Sequence, residues 1–144
     1  MDNKEVTGVR LFINLFNEKP DLKNLFRFGN LSDEDLEKSD HLKKHGSIVI
    51  SAIDSVLCLL EDNHELNEVL SKLTEKHVKI PGFKEGWFWM IESPFLKTVQ
   101  ETMGDDYTSE QEYLFRIMIH SVLQVMNDIC HLQMKEKDKK EFRS

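Results

Sequence analysis

Residues 39–81 read SDHLKKHGSIVISAIDSVLCLLEDNHELNEVLSKLTEKHVKIP, and their spacing predicts two consecutive helices. In the first, which we expect to run to about Asp62, apolar positions recur at steps of three and four, the period of one helical face. The second repeats this period until Pro81, because proline cannot continue a helix. The first face carries Leu42, His45, Val49, Ala52, Ile53, Val56 and Leu60, and the second carries Leu66, Leu70, Leu73 and His77.

His45 and His77 are the candidate functional residues, because each interrupts an apolar stripe. An imidazole is expensive to bury without a partner. A single histidine on such a stripe is more often a boundary residue or a hydrogen-bonded core residue than a ligand. Two on adjacent antiparallel helices could instead point into one cavity and bracket a flat cofactor, and imidazole is a common iron ligand in haem proteins. The residues alone leave both interpretations open.

Other chemistry has weaker support in the sequence. His41 and His45 are four positions apart, which suits a zinc pair, but HLKKH has no glutamate base and no third ligand at a zinc-protease spacing. Neither a nucleophile–base constellation nor a glycine-rich phosphate loop is present. We therefore expect a binding protein rather than an enzyme, with His64, His120 and His131 at surface or boundary positions.

The composition is typical of a single globular domain. The chain has 144 residues, 40% of them hydrophobic, and a net charge of −7, which disfavours binding to nucleic acid or an anionic membrane surface. We expect one domain over 1–137 and a charged tail over 138–144. Cys58 and Cys130 lie in apolar helical patterns and are expected to be buried free thiols. No signal-type or membrane-spanning run is evident, so we expect a cytoplasmic protein.

The segment before the two central helices is also helical in pattern. Residues 6–17 have apolar positions at steps of three and four. Gly8, inside this segment, costs about 1 kcal/mol relative to alanine. It therefore indicates close approach by another helix, which we expect to be the one that begins near Ser39. Pro20 can open a short helical turn through Phe26.

The last third of the chain predicts two further helices. Residues 83–103 are rich in aromatic side chains, and Pro94 inside them predicts a kink or a restart. Thr108 or Ser109, with Gln or Glu three residues on, reads as a capping box that opens a final helix to about Lys135. No strand-like alternation stands out, so the predicted fold class is all-α.

Three segments together resemble the globin family. Residues 42–53 (LKKHGSIVISAI) and 73–81 (LTEKHVKIP) resemble the distal and proximal histidine segments of globins. Residues 11–28 (LFINLFNEKPDLKNLFRF) resemble the segment that runs through a proline to the phenylalanine on the haem face. The resemblance covers about 5–134 and is closer to neuroglobin-like, cytoglobin-like and invertebrate globins than to myoglobin. It implies a globin-like helical fold with a haem pocket.

The resemblance implies haem b as the cofactor and assigns roles to particular residues. His77 falls on the proximal iron-ligand position, and the carbonyl of Leu73, one turn back, is placed to accept its second N–H. His45 falls on the distal position, as a gate for the gas or as a sixth ligand. The remaining expected haem-contacting residues are Phe12, Phe26, Phe28 and Val49 on the distal side, and Phe83, Trp87, Phe88 and Ile91 on the proximal side.

The function that the resemblance implies is reversible binding of dioxygen or another diatomic gas, with a reductase as a further expected partner. One alternative is a six-coordinate globin, with both histidines on iron, in electron transfer or in redox or gas sensing. Another is a haem-free helical interaction module. Globins of the usual form have a further helix before the segment that starts near Val6. Its absence or shortening here would expose apolar surface.

Overall fold

The structure, a computed structural model, describes residues 3–26 and 30–143. Over these residues the chain forms helices and no strand, which confirms the all-α prediction. The α-helices are α1 (Lys4–Glu18), α2 (Asp33–Lys38), α3 (Asp40–Cys58), α4 (Asn63–Val78), α5 (Glu92–Met103) and α6 (Ser109–Arg143). Shorter 3₁₀ helices cover Pro20–Leu25, Trp87–Ile91 and Gly104–Asp106. None of the described helices is both long and apolar enough to span a bilayer.

Helices α1 and α3 cross at two glycines. A Cβ atom built on Gly8 would lie 2.3 Å from the carbonyl carbon of Gly46, and one on Gly46 would lie 2.7 Å from the carbonyl carbon of Gly8. Neither distance is compatible with a side chain, so the backbones touch directly. The prediction for Gly8 is confirmed, and Gly46 is its partner. This crossing brings the buried face of α1 against the start of α3.

Side-chain caps determine where the two central helices begin. The Ser39 hydroxyl accepts a hydrogen bond from the Leu42 N–H at 3.2 Å, and the Asp62 carboxylate accepts one from the Glu65 N–H at 3.1 Å. Because Asp62 caps α4, it cannot also end α3. Helix α3 stops at Cys58 instead of near Asp62, and a short turn joins the two helices.

Both predicted start signals in the last third of the chain are confirmed. Pro94 lies in the first turn of α5, where a missing N–H costs no helical hydrogen bond, so the chain restarts there. Thr108 and Gln111 form a reciprocal capping box before α6, with both bonds at 3.2 Å.

Helix α6 is longer than predicted, since it continues past Lys135 to Arg143. Its last turns place Glu136 four residues before Lys140, and Lys137 four residues before Glu141, spacings that stabilise a helix. Residues 135–143 are exposed throughout.

The buried core has two parts. The larger lies among α3, α4, α5 and α6 and includes Leu70, Phe95 and Leu123. The smaller surrounds α1 and α2 and includes Phe12, Phe16, Leu36 and Leu42. Half-buried Val49 and Ile91 pack against both parts. The two parts therefore meet at these two side chains.

The two cysteines differ in burial. Both are free thiols, and Cys130 is fully buried on α6, as expected. The expectation that Cys58 is buried is wrong. Cys58 is the last residue of α3, where the chain turns at the surface.

Candidate functional site

His77 lies on the last turn of α4 and is oriented by its own helix. Its Nδ1 lies 2.7 Å from the carbonyl oxygen of Leu73. A carbonyl oxygen can only accept, so Nδ1 carries the proton and donates. In a neutral ring, the other nitrogen, Nε2, then has the lone pair that a metal ligand needs. The predicted hydrogen bond to Leu73 is confirmed.

Aromatic rings pack around His77. Its ring centroid lies 5.9 Å from that of Phe83 and 5.1 Å from that of Phe88. Phe83 also contacts Trp87 at 5.5 Å and Phe88 at 5.2 Å. Phe88 is buried, while Phe83, Trp87 and Ile91 are half-buried. The structure thus brings Phe83, Trp87 and Phe88 together around His77, whereas Ile91 packs where the two parts of the core meet.

His45 projects from the start of α3 towards the buried face of α1. Its ring centroid lies 5.1 Å from that of Phe12 and 5.9 Å from that of Phe26. Burial lowers the pKa of His45 below its ordinary value, and the neighbouring charges of His41 and His77 lower it further. His45 is therefore a neutral imidazole at pH 7.

Phe26 connects His45 to the smaller part of the core. It lies at the end of the 3₁₀ helix Pro20–Leu25 and packs edge-on against Phe12 at 5.7 Å and Phe16 at 5.3 Å. It is only half-buried, so part of its ring surface remains accessible. Phe28, predicted to lie nearby, falls outside the described residues.

The two histidines pack against different parts of the core. His45 packs with residues of the smaller part of the core, and His77 packs with residues of the larger part. Among the large half-buried apolar side chains, Val49 and Ile91 pack against both parts. Ile53, Leu73 and Phe83 pack against the larger part and Met90 against the smaller, while half-buried Trp87 contacts Phe83.

Ile53 and Met90 were not among the predicted site residues. Ile53 could have been found, because it continues the stripe one turn after Val49. Met90 could not, because its position depends on how the 3₁₀ helix turns.

The remaining histidines occupy the surface, as predicted. His120 stacks on Trp89 with ring centroids 4.8 Å apart, and its Nδ1 lies 3.1 Å from a Glu92 carboxylate oxygen. His131 contacts Glu85, and His64 is exposed. Within the described ranges, no three His, Cys, Asp or Glu side chains are grouped to hold a metal ion.

Comparison with known proteins gives one consistent result. The family model described as Globin matches residues 9–126. The chain is 34% identical to "Neuroglobin" of Tetraodon nigroviridis over 109 residues, which are 74% of this chain and 68% of that protein. It is 30% identical to "Cytoglobin-2" of Danio rerio over 108 residues, 74% of this chain and 60% of that protein.

A solved structure has a similar fold. It is described as the crystal structure of a hexacoordinated haem protein from an anhydrobiotic tardigrade. The TM-score is 0.85 at 24% identity, and the match covers 90% of this chain and 84% of that one. At this identity the likeness concerns the arrangement of the helices alone.

Proposed function

The chain belongs to the globin family, and from this premise we propose that it binds haem b between His45 and His77 and takes up oxygen reversibly. His77 is the proximal ligand, His45 the distal gate, and Phe26 stacks on the porphyrin. The observation that carries the proposal is the 2.7 Å hydrogen bond from Nδ1 of His77 to the Leu73 carbonyl. That bond fixes the ring and leaves Nε2 as the nitrogen that a neutral imidazole would offer to a metal.

The half-buried side chains along the division of the core suit a porphyrin. A flat apolar group between the two parts would cover Val49 and Ile53 from α3, and Phe83 and Ile91 from the segment after α4. These large apolar side chains would gain about 25 cal/mol for each Å² of surface removed from water. The donor set, one imidazole on each side, is of the kind that would hold a haem iron.

Each residue of the site has a separate task. When bound, the haem supplies a ferrous iron that accepts oxygen or a similar diatomic ligand. The Leu73 carbonyl holds the His77 ring and increases its basicity. His45 offers one N–H donor to a ligand with partial negative charge, because its lowered pKa keeps the ring neutral. Phe12 fills the space beside His45 and excludes water.

A six-coordinate form, with His45 as the sixth ligand, is the second candidate. The observation in its favour is that His45 and His77 pack on the two different parts of the core, so that a group held between these parts would lie within reach of both rings. The tardigrade protein of similar fold is described as hexacoordinated. Such a form suits electron transfer, redox sensing or gas sensing.

An oxygen-binding iron that oxidises must be reduced again, so a reductase belongs to the proposal as a partner. Oxygen binding and release require no other chemistry of the protein, which we therefore regard as a non-enzymatic binder. Unpaired Cys58 and Cys130 are consistent with a reducing cytoplasm.

The test is spectroscopic. The chain is expressed, supplied with haem, and its absorption spectrum is recorded in the ferric and dithionite-reduced states beside His77→Ala and His64→Ala. We expect a sharp haem band in the native protein and in His64→Ala, the matched control on the same helix. His77→Ala should lose or shift this band.

The reduced visible bands distinguish the two candidates. One broad band indicates five-coordinate iron and oxygen binding through an open site. A split pair that becomes one broad band in His45→Leu indicates a six-coordinate form. Haem association no greater than non-specific background would contradict both and favour the helical interaction module.

A further inference from the structure

Helix α6 has an exposed apolar face that the haem site does not use. Leu114 and Leu132 are 18 residues apart, five turns of a helix with about 3.6 residues per turn, so they lie on one line along it. Ile117 lies beside that line. Leu114, Ile117 and Leu132 are 50%, 45% and 63% exposed. These exposed side chains lie at the two ends of one line along α6, with exposed Ser121 and Asp128 between them, and we call this line the stripe.

A groove opens beside the far end of this stripe. It has a volume of about 510 Å³ and is lined by Glu85, Gly86, Trp89, Asn127, Asp128, His131 and Leu132. Trp89 and Leu132 give it apolar surface, and the carboxylates of Glu85 and Asp128 give it acceptors. The side-chain oxygen Oδ1 of Asn127 is buried and has no hydrogen-bond partner. The groove therefore suits an apolar ring with a hydrogen-bond donor at its tip.

Tyr113 is a side chain of that kind on the same helix. It is 64% exposed. It precedes His131 by the same five turns that separate Leu114 from Leu132. The distance along α6 from Tyr113 to the groove is therefore the same as the distance from Leu114 to Leu132.

The two ends of α6 also carry opposite charges. Acidic residues surround its start, namely Asp105, Asp106 and Glu110, all exposed. Its exposed C-terminal end has more basic than acidic side chains, and the lysines there are Lys135, Lys137, Lys139 and Lys140. One α6 helix laid antiparallel against another would bring the basic end of each onto the acidic start of the other.

We propose that α6 pairs antiparallel with α6 of a second copy of this chain, and that Tyr113 of each copy enters the groove of the other. A two-fold axis at the middle of the helix places Leu114 opposite Leu132. The same register places Tyr113 beside His131 and Asp128, and it brings the lysine-rich end of each helix towards Asp105 and Asp106, which lie just before the start of the other. The Tyr113 donor and the apolar contacts at both ends require this one register, and the proposal does not depend on haem.

Sedimentation velocity of the haem-loaded full chain tests the proposal. Reductant is added because Cys58 is an exposed thiol. We expect a concentration-dependent shift from 16.9 kDa towards twice that mass. Leu132→Glu and Tyr113→Ser should each raise the dissociation constant at least tenfold. Ile48→Glu, at a 59% exposed position on α3 outside the stripe, should leave it unchanged.

A charge exchange tests the register itself. Lys139→Glu/Lys140→Glu and Asp105→Lys/Asp106→Lys should each fail to self-associate, since like charges then face each other at both ends. Mixed together, the two variants should form a heterodimer, because both ends are again complementary. A monomer at every concentration, or a dimer that Leu132→Glu and the charge variants leave intact, would overturn the proposal. A dimer that Ile48→Glu weakens as much as Leu132→Glu does would also overturn the proposal.

Discussion

The proximal and distal sides of the candidate haem site hold their histidines in different ways. His77 is tied to the carbonyl of its own helix at 2.7 Å, on the last turn of α4. His45 is held by ring packing on Phe12 and Phe26, which come from α1 and from the end of the 3₁₀ helix after it. A hydrogen bond fixes both orientation and tautomer, whereas ring packing restricts neither as strictly. The proposed proximal side is therefore suited to permanent ligation and the proposed distal side to movement.

The largest expected effect is loss of the proximal ligand. His77→Ala removes the fixed imidazole and should weaken haem binding by at least about 100-fold, since second-shell changes alone cost 10- to 100-fold in metal affinity. Free imidazole should restore much of the native spectrum by filling the space that the side chain leaves. A haem titration with and without imidazole measures this. Unchanged haem affinity in His77→Ala would show that His77 is not the proximal ligand.

The second expected effect comes from a substitution at the crossing of α1 and α3, and it should act on the distal side and not on the proximal side. Gly8→Ala places a methyl group 2.3 Å from the Gly46 backbone. Such overpacking costs about 1–3 kcal/mol, and a clash with backbone atoms belongs in the upper part of that range, at about 2–3 kcal/mol, against the roughly 1 kcal/mol that alanine gains in a helix. We expect a net loss of about 1–2 kcal/mol in the free energy of unfolding.

Urea unfolding checks this effect, with Glu5→Ala on the exposed face of the same helix as the control. The ferrous spectrum should change through the distal side, because α1 carries Phe12, while His77 stays bound. Stability equal to that of the native protein would mean that the two helices can separate freely.

A smaller effect is expected for the distal donor. His45→Leu removes one hydrogen bond to a bound ligand, which contributes about 1–1.5 kcal/mol, or about a tenfold change in a rate or equilibrium constant. In a five-coordinate protein, flash photolysis and stopped-flow mixing should therefore show oxygen dissociating about tenfold faster. In a six-coordinate protein the same change should accelerate oxygen binding instead. His41→Leu, one turn away and exposed, is the control.

The smallest expected effect is a pH dependence of the haem-free protein. Burial, then the charges of His41 and His77, lower the pKa of His45 in the folded state below its ordinary value of 6.5. The unfolded chain then binds more protons than the folded one, so stability is complete above about pH 6.5 and falls as the pH drops below it. Urea unfolding at several pH values should show a steeper loss for the native protein than for His45→Gln. Parallel curves would contradict the buried, neutral state of His45.

Local signals in the sequence predicted much of the fold because they act within one or two turns. The apolar period predicted α3 and α4, the proline in the first turn predicted the start of α5, and Thr108 with Gln111 predicted the cap of α6. The hydrogen bond from His77 to Leu73 was predictable for the same reason, since both residues lie on one helix. Helix ends were less predictable, because Asp62 could end α3 or begin α4.

Features that depend on contacts between elements were harder to predict. Gly8 indicated a close approach, but its partner Gly46 became visible only where the helices cross. The exposure of Cys58 follows from the turn after α3, and the position of Met90 from the path of the 3₁₀ helix. The helical stripes alone left His45 and His77 open to core packing or ligation. The order of three segments along the chain pointed to the globin family, which the comparisons confirm.

The contrast between a fixed proximal and a movable distal histidine is tested most directly by haem dissociation. The rate of haem transfer to an excess of a haem-free acceptor protein is measured for the native protein, His45→Ala and His77→Ala. We expect His45→Ala to release haem within about tenfold of the native rate and His77→Ala to release it at least about 100-fold faster. Equal acceleration in both variants, or faster release from His45→Ala, would contradict the account.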